Sequence, residues 1–281
     1  MRFDEPPLEG RFLRRYKRFF ADVELDSGAV VTAHCPNTGS LRGCLVEGAR
    51  VWLRDSRDER RKLRYTWQAV LVGGAWINVD TSLPNRVVFE ALQDGRVRAL
   101  AGYRALRREV PYGESSRIDV LLSEHARRPG ERCFVEVKST TLARGRTGLF
   151  PDAVTERGRK HLAELARAAE AGDRAVQLFF VGRADVRVFR PADDIDPAYG
   201  AALRDAARRG VRVLAFGAEV TPCGLLLGAP LKVDLGVRRR QAVEVGSPGA
   251  RETRNAAQEV VKSAAGRRRG EGGGRLLPGD P

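Results

Sequence analysis

Ser116-Arg117-Ile118-Asp119-Val120-Leu121-Leu122 and Cys133-Phe134-Val135-Glu136-Val137-Lys138-Ser139-Thr140-Thr141-Leu142 are two apolar runs, each interrupted by charge. Their aliphatic and β-branched content reads as strand, and the loop 124–131 returns the second beside the first. Side chains alternate along a strand, so Glu136 and Lys138 share one face while Val135 and Val137 share the other. Opposite charges two residues apart also occur in solvent-facing ion pairs. Here, however, they sit mid-domain among apolar neighbours, where unneeded charge is costly, and the neighbouring strand adds Asp119 between Ile118 and Val120. The expectation is a site built from Asp119, Glu136 and Lys138.

Working outward, Tyr103 to Pro111 is a third strand-like run, so the three form a meander. Before it, Pro84 followed by Val87, Val88, Ala91 and Leu92 has helical spacing, with Gly95 as its stop. After it, Thr155 is an N-cap and Glu156 suits the positive end of a helix. Leu162, Leu165, Ala166 and Ala169 form its apolar stripe, and Arg157, Lys160, Glu164 and Arg167 its polar face. Gly172 ends that helix. The apolar run Ala175 to Val181 reads as a buried strand, Asp196-Pro197 opens another helix that stops at Gly210, and Val211 to Phe216 reads as a last strand. Helix, meander, helix, strand, helix, strand is a mixed α/β layout: one sheet flanked by helices.

Residues 11–80 read differently, as short strands (Phe12 to Leu25, Ala29 to His34, Ala49 to Leu53, Leu63 to Val72, Trp76 to Val79) separated by turn chemistry such as Asp26-Ser27-Gly28 and Gly73-Gly74. A five-stranded OB-type barrel fits that spacing. The chain therefore divides into a barrel over 1–82, a mixed-sheet domain over 83–236 and, where arginine triplets and Gly272-Gly273-Gly274 replace aromatics, a flexible basic tail over 237–281.

The 281 residues carry 50 Lys and Arg against 36 Asp and Glu, a formal net charge of +14, which points to a polyanionic partner. Only six of the basic residues are lysines (Lys17, Lys62, Lys138, Lys160, Lys232, Lys262), so part of the arginine excess reflects overall composition. Within the barrel, Arg15, Tyr16, Lys17 and Arg18, and again Arg61, Lys62 and Arg64 with Tyr65, interleave basic and aromatic groups as phosphate contact plus base stacking requires. The same alternation arises on any exposed strand. Arg157 and Lys160 share the face of a helix start that suits phosphate. No apolar run approaches the ~20 residues a membrane span needs, so a cytoplasmic protein, or a peripheral visitor to membranes, is expected. Cys35, Cys44, Cys133 and Cys223 form no C-x-x-C pair, which argues against a zinc site or a disulfide framework.

Two carboxylates and the main-chain carbonyl of Val137 between Glu136 and Lys138 offer the hard oxygen ligands that Mg²⁺ or Mn²⁺ prefers, and no His or Cys cluster competes for a softer metal. Glu90, on the helix before the meander, is a candidate extra ligand, and Glu109 a weaker rival. Asp152 reads either as a plain turn residue or as one that helps order the site, and the Pro36-Asn37-Thr38-Gly39 stretch as a structural turn.

Asp119 followed about seventeen residues later by Glu136-Val137-Lys138 resembles the D…E-x-K signature of the PD-(D/E)XK nuclease superfamily. Longer strings are more specific: RRYKRF (14–19), HCPNTGS (34–40), RKLRYTW (61–67), SRIDVLL (116–122), EVKSTTL (136–142) and FPDAVTERGRKHL (150–162). Together they resemble the sugar fermentation stimulation protein (SfsA) family over residues 1 to about 232. That resemblance implies an OB-type N-terminal domain, a nuclease-like C-terminal domain and DNA binding, with a regulatory link to sugar metabolism suggested by the name. Three functions remain open: a metal-dependent nuclease, a non-catalytic DNA-binding regulator, and a binder of RNA or another polyanion.

Overall fold

The computed structural model describes residues 1–58, 60–113 and 116–236; the tail expected over 237–281 lies outside them. The first six strands are β1 (Leu8–Tyr16), β2 (Phe20–Leu25), β3 (Val30–His34), β4 (Arg50–Asp55), β5 (Tyr65–Val72) and β6 (Ala75–Asn78). Their order is β3-β2-β1-β4-β5-β6, and a parallel β3–β5 pairing closes five of them into a barrel. The single run read over Phe12 to Leu25 is in fact a hairpin, turned at a tip where Lys17 and Arg18 adopt left-handed φ of 47° and 62°. Phe12, Val23, Val51, Leu53, Trp67 and Ile77 fill the barrel, with Phe12 stacked on Trp67.

The second half follows the element order read from the sequence. Helix α1 (Pro84–Gln93) precedes β7 (Tyr103–Tyr112), β8 (Ser116–His125) and β9 (Cys133–Thr140). Next come β10 (Ala143–Arg144), β11 (Thr147–Phe150), α2 (Glu156–Glu170), β12 (Arg174–Val181), β13 (Val188–Pro191), α3 (Pro197–Arg208), β14 (Arg212–Thr221), β15 (Gly224–Pro230) and β16 (Lys232–Val233). The main sheet runs β15-β14-β12-β9-β8-β7, with β9–β12 and β12–β14 parallel and the outer pairs antiparallel. A small second sheet, β10-β11-β13-β16, was not foreseen. Both expected caps form: Thr155 accepts from the Gly158 N–H and Asp196 from the Tyr199 N–H.

Helices cover both faces, because each sheet face carries its own apolar set. Val135 and Val137 pack with Val87, Val88 and Ala91 of α1, whereas Phe134 and Phe179 pack with Leu162 and Leu165 of α2 and Leu203 of α3. Glu136 and Lys138 therefore face α2. Barrel and sheet belong to one compact unit. They are joined where Ser40 Oγ and the Leu41 N–H both donate to Asp152 Oδ2, at 2.9 and 3.0 Å.

Candidate functional site

The β8–β9 ladder pairs Leu122 with Cys133, Leu121 with Phe134 and Val120 with Val135, and stops there. One more step would set Asp119 opposite Glu136, but at that point the strands part. The Asp119 side chain replaces the lost ladder bond: its Oδ2 accepts the Val137 N–H at 2.7 Å, and its Oδ1 accepts from Asn85 Nδ2 of α1, also at 2.7 Å. A carboxylate thus sits at a fork in the sheet, fixed by the strand it faces and the helix beside it.

Glu136, on the α2 side, is 2% exposed. Its Oε1 accepts from Lys138 Nζ at 2.6 Å and makes a short hydrogen bond with His161 Nδ1. Lys138 Nζ also lies 3.4 Å from His161 Nδ1, and Arg157 Nε donates to His161 Nε2 at 3.3 Å. Arg157, His161, Lys138 and Glu136 form one connected chain from surface to sheet. Gln177, opposite Glu136 on β12, donates to the Glu136 carbonyl at 3.1 Å.

Burial and charge set the ionisation of this group. Burial, then the nearby Glu136 carboxylate, pushes Asp119 up to about 6, against the lowering effects of the Val137 N–H and Lys138. Burial alone would raise Glu136 too, but the His161 hydrogen bond and the Lys138 charge outweigh it and hold Glu136 below the usual carboxylate range. Tyr112 is driven up by burial and by the negative Glu164 and Glu136 beside it.

Several expected positions are placed elsewhere. Glu90 does not join the site: its Oε2 pairs with the N-terminal amine of Met1 at 2.7 Å and its Oε1 with Arg86 at 3.0 Å. The residue of α1 that does reach Asp119 is Asn85. Glu164 is not on a solvated helical face, being 2% exposed with no hydrogen-bond partner on either carboxylate oxygen among the described residues. Exposed Glu109 acts on Asp119 only as a nearby like charge. The guanidinium of Arg15 is engaged by the main-chain carbonyls of Arg18, Asn37 and Gly39, so it buttresses the barrel. Tyr16 stacks on Phe20 and donates to Asp22, while Arg64 pairs with Asp55. Lys17, Arg18, Arg61, Lys62, Arg157 and Lys160 are exposed. His161 was legible only as part of a basic helix start, because its link to Glu136 is tertiary.

The residues fit a divalent cation. Glu136 Oε2 is buried and has no hydrogen-bond partner among the described residues, and the Glu136 carboxylate raises the proton affinity of Asp119. Among those residues no three His, Cys, Asp or Glu side chains converge as a metal cluster; the donor set is two acids plus the Val137 carbonyl. No helix among the described residues is long and apolar enough to cross a membrane.

Family comparisons agree with this architecture. Residues 13–79 match the model of the SfsA N-terminal OB domain, and residues 82–224 that of the sugar fermentation stimulation protein RE domain. A sugar fermentation stimulation protein homolog of Maricaulis maris is 51% identical over 237 residues, 84% of this chain and 99% of its own length. The homolog of Geobacter metallireducens is 51% identical over 236 residues, 84% of this chain and 100% of its own length. A solved structure of Pyrococcus furiosus SfsA in complex with Ca²⁺ superposes with a TM-score of 0.74 at 28% identity, covering 83% of this chain and 98% of that one. With an OB barrel leading into a mixed sheet, and with about half of the aligned residues identical to relatives that it covers end to end, the chain belongs to the sugar fermentation stimulation protein family.

Proposed function

We propose that the chain is a DNA-binding protein whose mixed sheet carries a phosphodiesterase site of the PD-(D/E)XK type, served by Mg²⁺ or Mn²⁺. The observation that carries this reading is the fork at Asp119, which brings a second carboxylate to the Glu136-Val137-Lys138 segment where the strands separate. Asp119, Glu136 and the Val137 carbonyl would hold the cation, which when bound activates water and polarises a phosphate oxygen. The Ca²⁺ complex of the Pyrococcus furiosus relative supports an oxygen-lined divalent site. Lys138, held against Glu136, presents an ammonium to the charge that grows on the phosphate, while His161, itself held by Arg157, shares the same Glu136 Oε1 and leaves Oε2 open.

The test is purified protein with single- and double-stranded DNA in Mg²⁺ or Mn²⁺. Cleavage that falls about 100-fold in Lys138→Ala, with cation binding and DNA affinity retained, is the expected result, since one lost electrostatic contact to the transition state costs on that order. A second reading, a non-catalytic regulator that only binds DNA, is favoured by the direct Lys138–Glu136 pair, which leaves the ammonium occupied. Absence of cleavage with every DNA form and either metal would select it.

The ionisation of Asp119 gives a second expectation. Its folded value of about 6 exceeds its ordinary 3.8, so the stabilisation from its protonated form is present in acid and lost as pH rises through about 4 to 6. A bound cation must displace that proton. The rise in melting temperature caused by Mg²⁺ should therefore be small at pH 5 and larger at pH 7.5. An equal rise at both would place the cation away from Asp119.

A further inference from the structure

The barrel carries a cleft that the mixed-sheet site does not use. It has a volume of about 520 Å³ and is lined by Phe19, Phe20, His34, Arg61, Lys62 and Leu63, within the size of small-ligand pockets. Its walls are the tip of the β1–β2 hairpin and the loop between β4 and β5, and its floor is β3, where His34 pairs with Phe20 on one side and Thr66 on the other. Phe19 is 48% exposed at the rim. Phe20, which lines the same cleft, is braced by stacking on Tyr16 with centroids 5.3 Å apart. The hairpin is rigid behind it: the Arg15 guanidinium ties Arg18 to Asn37 and Gly39, and the Cys35 N–H donates to the Phe19 carbonyl at 2.7 Å.

The rim is cationic. Lys17, Arg18, Arg61 and Lys62 are exposed, and among the described residues none of their side chains pairs with a carboxylate. An apolar, aromatic slot edged by positive charge suits a flat ring attached to a phosphate chain. In OB barrels the strand 2–3 face and the loops after strands 1 and 4 are where oligonucleotides and oligosaccharides bind, and this cleft occupies that position.

We propose that the cleft takes an unpaired nucleobase of a DNA strand, stacked on Phe19 and Phe20, with the flanking phosphates on Lys62, Arg61 and the hairpin tip. This rests on the DNA-binding reading above and adds strand selectivity to it. A base paired within a duplex has its faces covered by its neighbours and cannot enter, so single strands and frayed or flapped ends are preferred to blunt duplex.

Fluorescence anisotropy with a labelled 12-nucleotide single strand and the blunt duplex of the same sequence, at one stated salt concentration, tests it. The full chain is expected to favour the single strand. Phe19→Ala should weaken the single strand about tenfold and leave the duplex within twofold, and Phe19→Trp should restore binding. Phe19 is exposed, so its exchange leaves the core intact; Lys62→Ala serves as a second variant and should weaken both forms while lowering the salt slope by about one. Equal loss on both DNA forms in Phe19→Ala, or no loss, overturns the base slot while leaving DNA binding standing. A concentration-dependent dimer that Phe19→Ala dissociates would assign the patch to a second copy and also overturn it. No binding of either DNA would remove the DNA-binding reading as well.

Discussion

Glu136→Gln should abolish the Mg²⁺-induced rise in melting temperature and lower metal-dependent cleavage by about 1,000-fold or more, the largest functional effect expected for any single side chain in this protein. Glutamine keeps the volume, so the packing of β9 against α2 survives. What changes is charge. The carboxylate that holds Lys138 at 2.6 Å and His161 beside it is gone, and with it one of the two acids proposed to hold the cation. A cation at about one hundred times its dissociation constant stabilises a protein by about 2.7 kcal/mol, which for a domain of this size is a shift of roughly 5 to 10 °C. Loss of that shift reads cation binding independently of catalysis. DNA affinity measured in EDTA should stay within twofold, because the basic groups of the barrel are untouched. A thermal shift that survives the exchange would show that the cation sits elsewhere, whatever happens to cleavage.

The same pair of strands shows how far sequence carries such a site. Alternation placed Glu136 and Lys138 on one face and Val135 and Val137 on the other, and both assignments match the packing, because period-two geometry is local. The caps at Thr155 and Asp196 were legible for the same reason: each satisfies an N–H three residues away. Asp119 was legible as a carboxylate inside an apolar run, but not the fork that makes room for it, since nothing in the residue pattern says where a ladder stops.

Tertiary partners were the blind spot. Arg15 sits among basic and aromatic residues that look alike in one dimension, yet its guanidinium is taken by carbonyls 3, 22 and 24 residues away. Glu90 read as a candidate extra ligand on a helix, but the Met1 amine folds back onto it. Glu164 fell on the polar face of α2 by helical spacing; the face is polar in composition while the Gly113 end of β7 covers it, a glutamate carboxyl lying 3.2 Å from where a Gly113 side chain would begin. The small sheet β10-β11-β13-β16 escaped notice because strands of two to four residues are too short to show a period.

Asp152→Ala should cost about 3 kcal/mol of stability and uncouple the barrel from the sheet. Asp152 Oδ2 accepts both Ser40 Oγ and the Leu41 N–H, and Leu41 itself is fully buried. Removing the carboxylate strands that N–H away from water and deletes two bonds to a charged acceptor, each of which is worth about 1.5 to 3 kcal/mol. The Pro36-Asn37-Thr38-Gly39 turn is shaped around the same group: Asn37 Oδ1 accepts the Gly39 N–H at 2.8 Å, and a Cβ at Gly39 would lie 2.9 Å from both Asn37 Oδ1 and Asp152 Oδ2. Gly39→Ala should therefore reproduce part of the defect. Asp152→Asn, which keeps one acceptor oxygen, should lose less than half as much as alanine. Urea unfolding followed by tryptophan emission reports the barrel through Trp52, Trp67 and Trp76, whereas far-ultraviolet circular dichroism follows the helices of the sheet domain. In the parent chain the two transitions should coincide, and in Asp152→Ala they should separate. Coincident curves with an unchanged midpoint would mean that other contacts, such as the Asn78 N–H donated to the Gly182 carbonyl at 2.7 Å, hold the barrel to the sheet and that the acid is an ordinary turn residue.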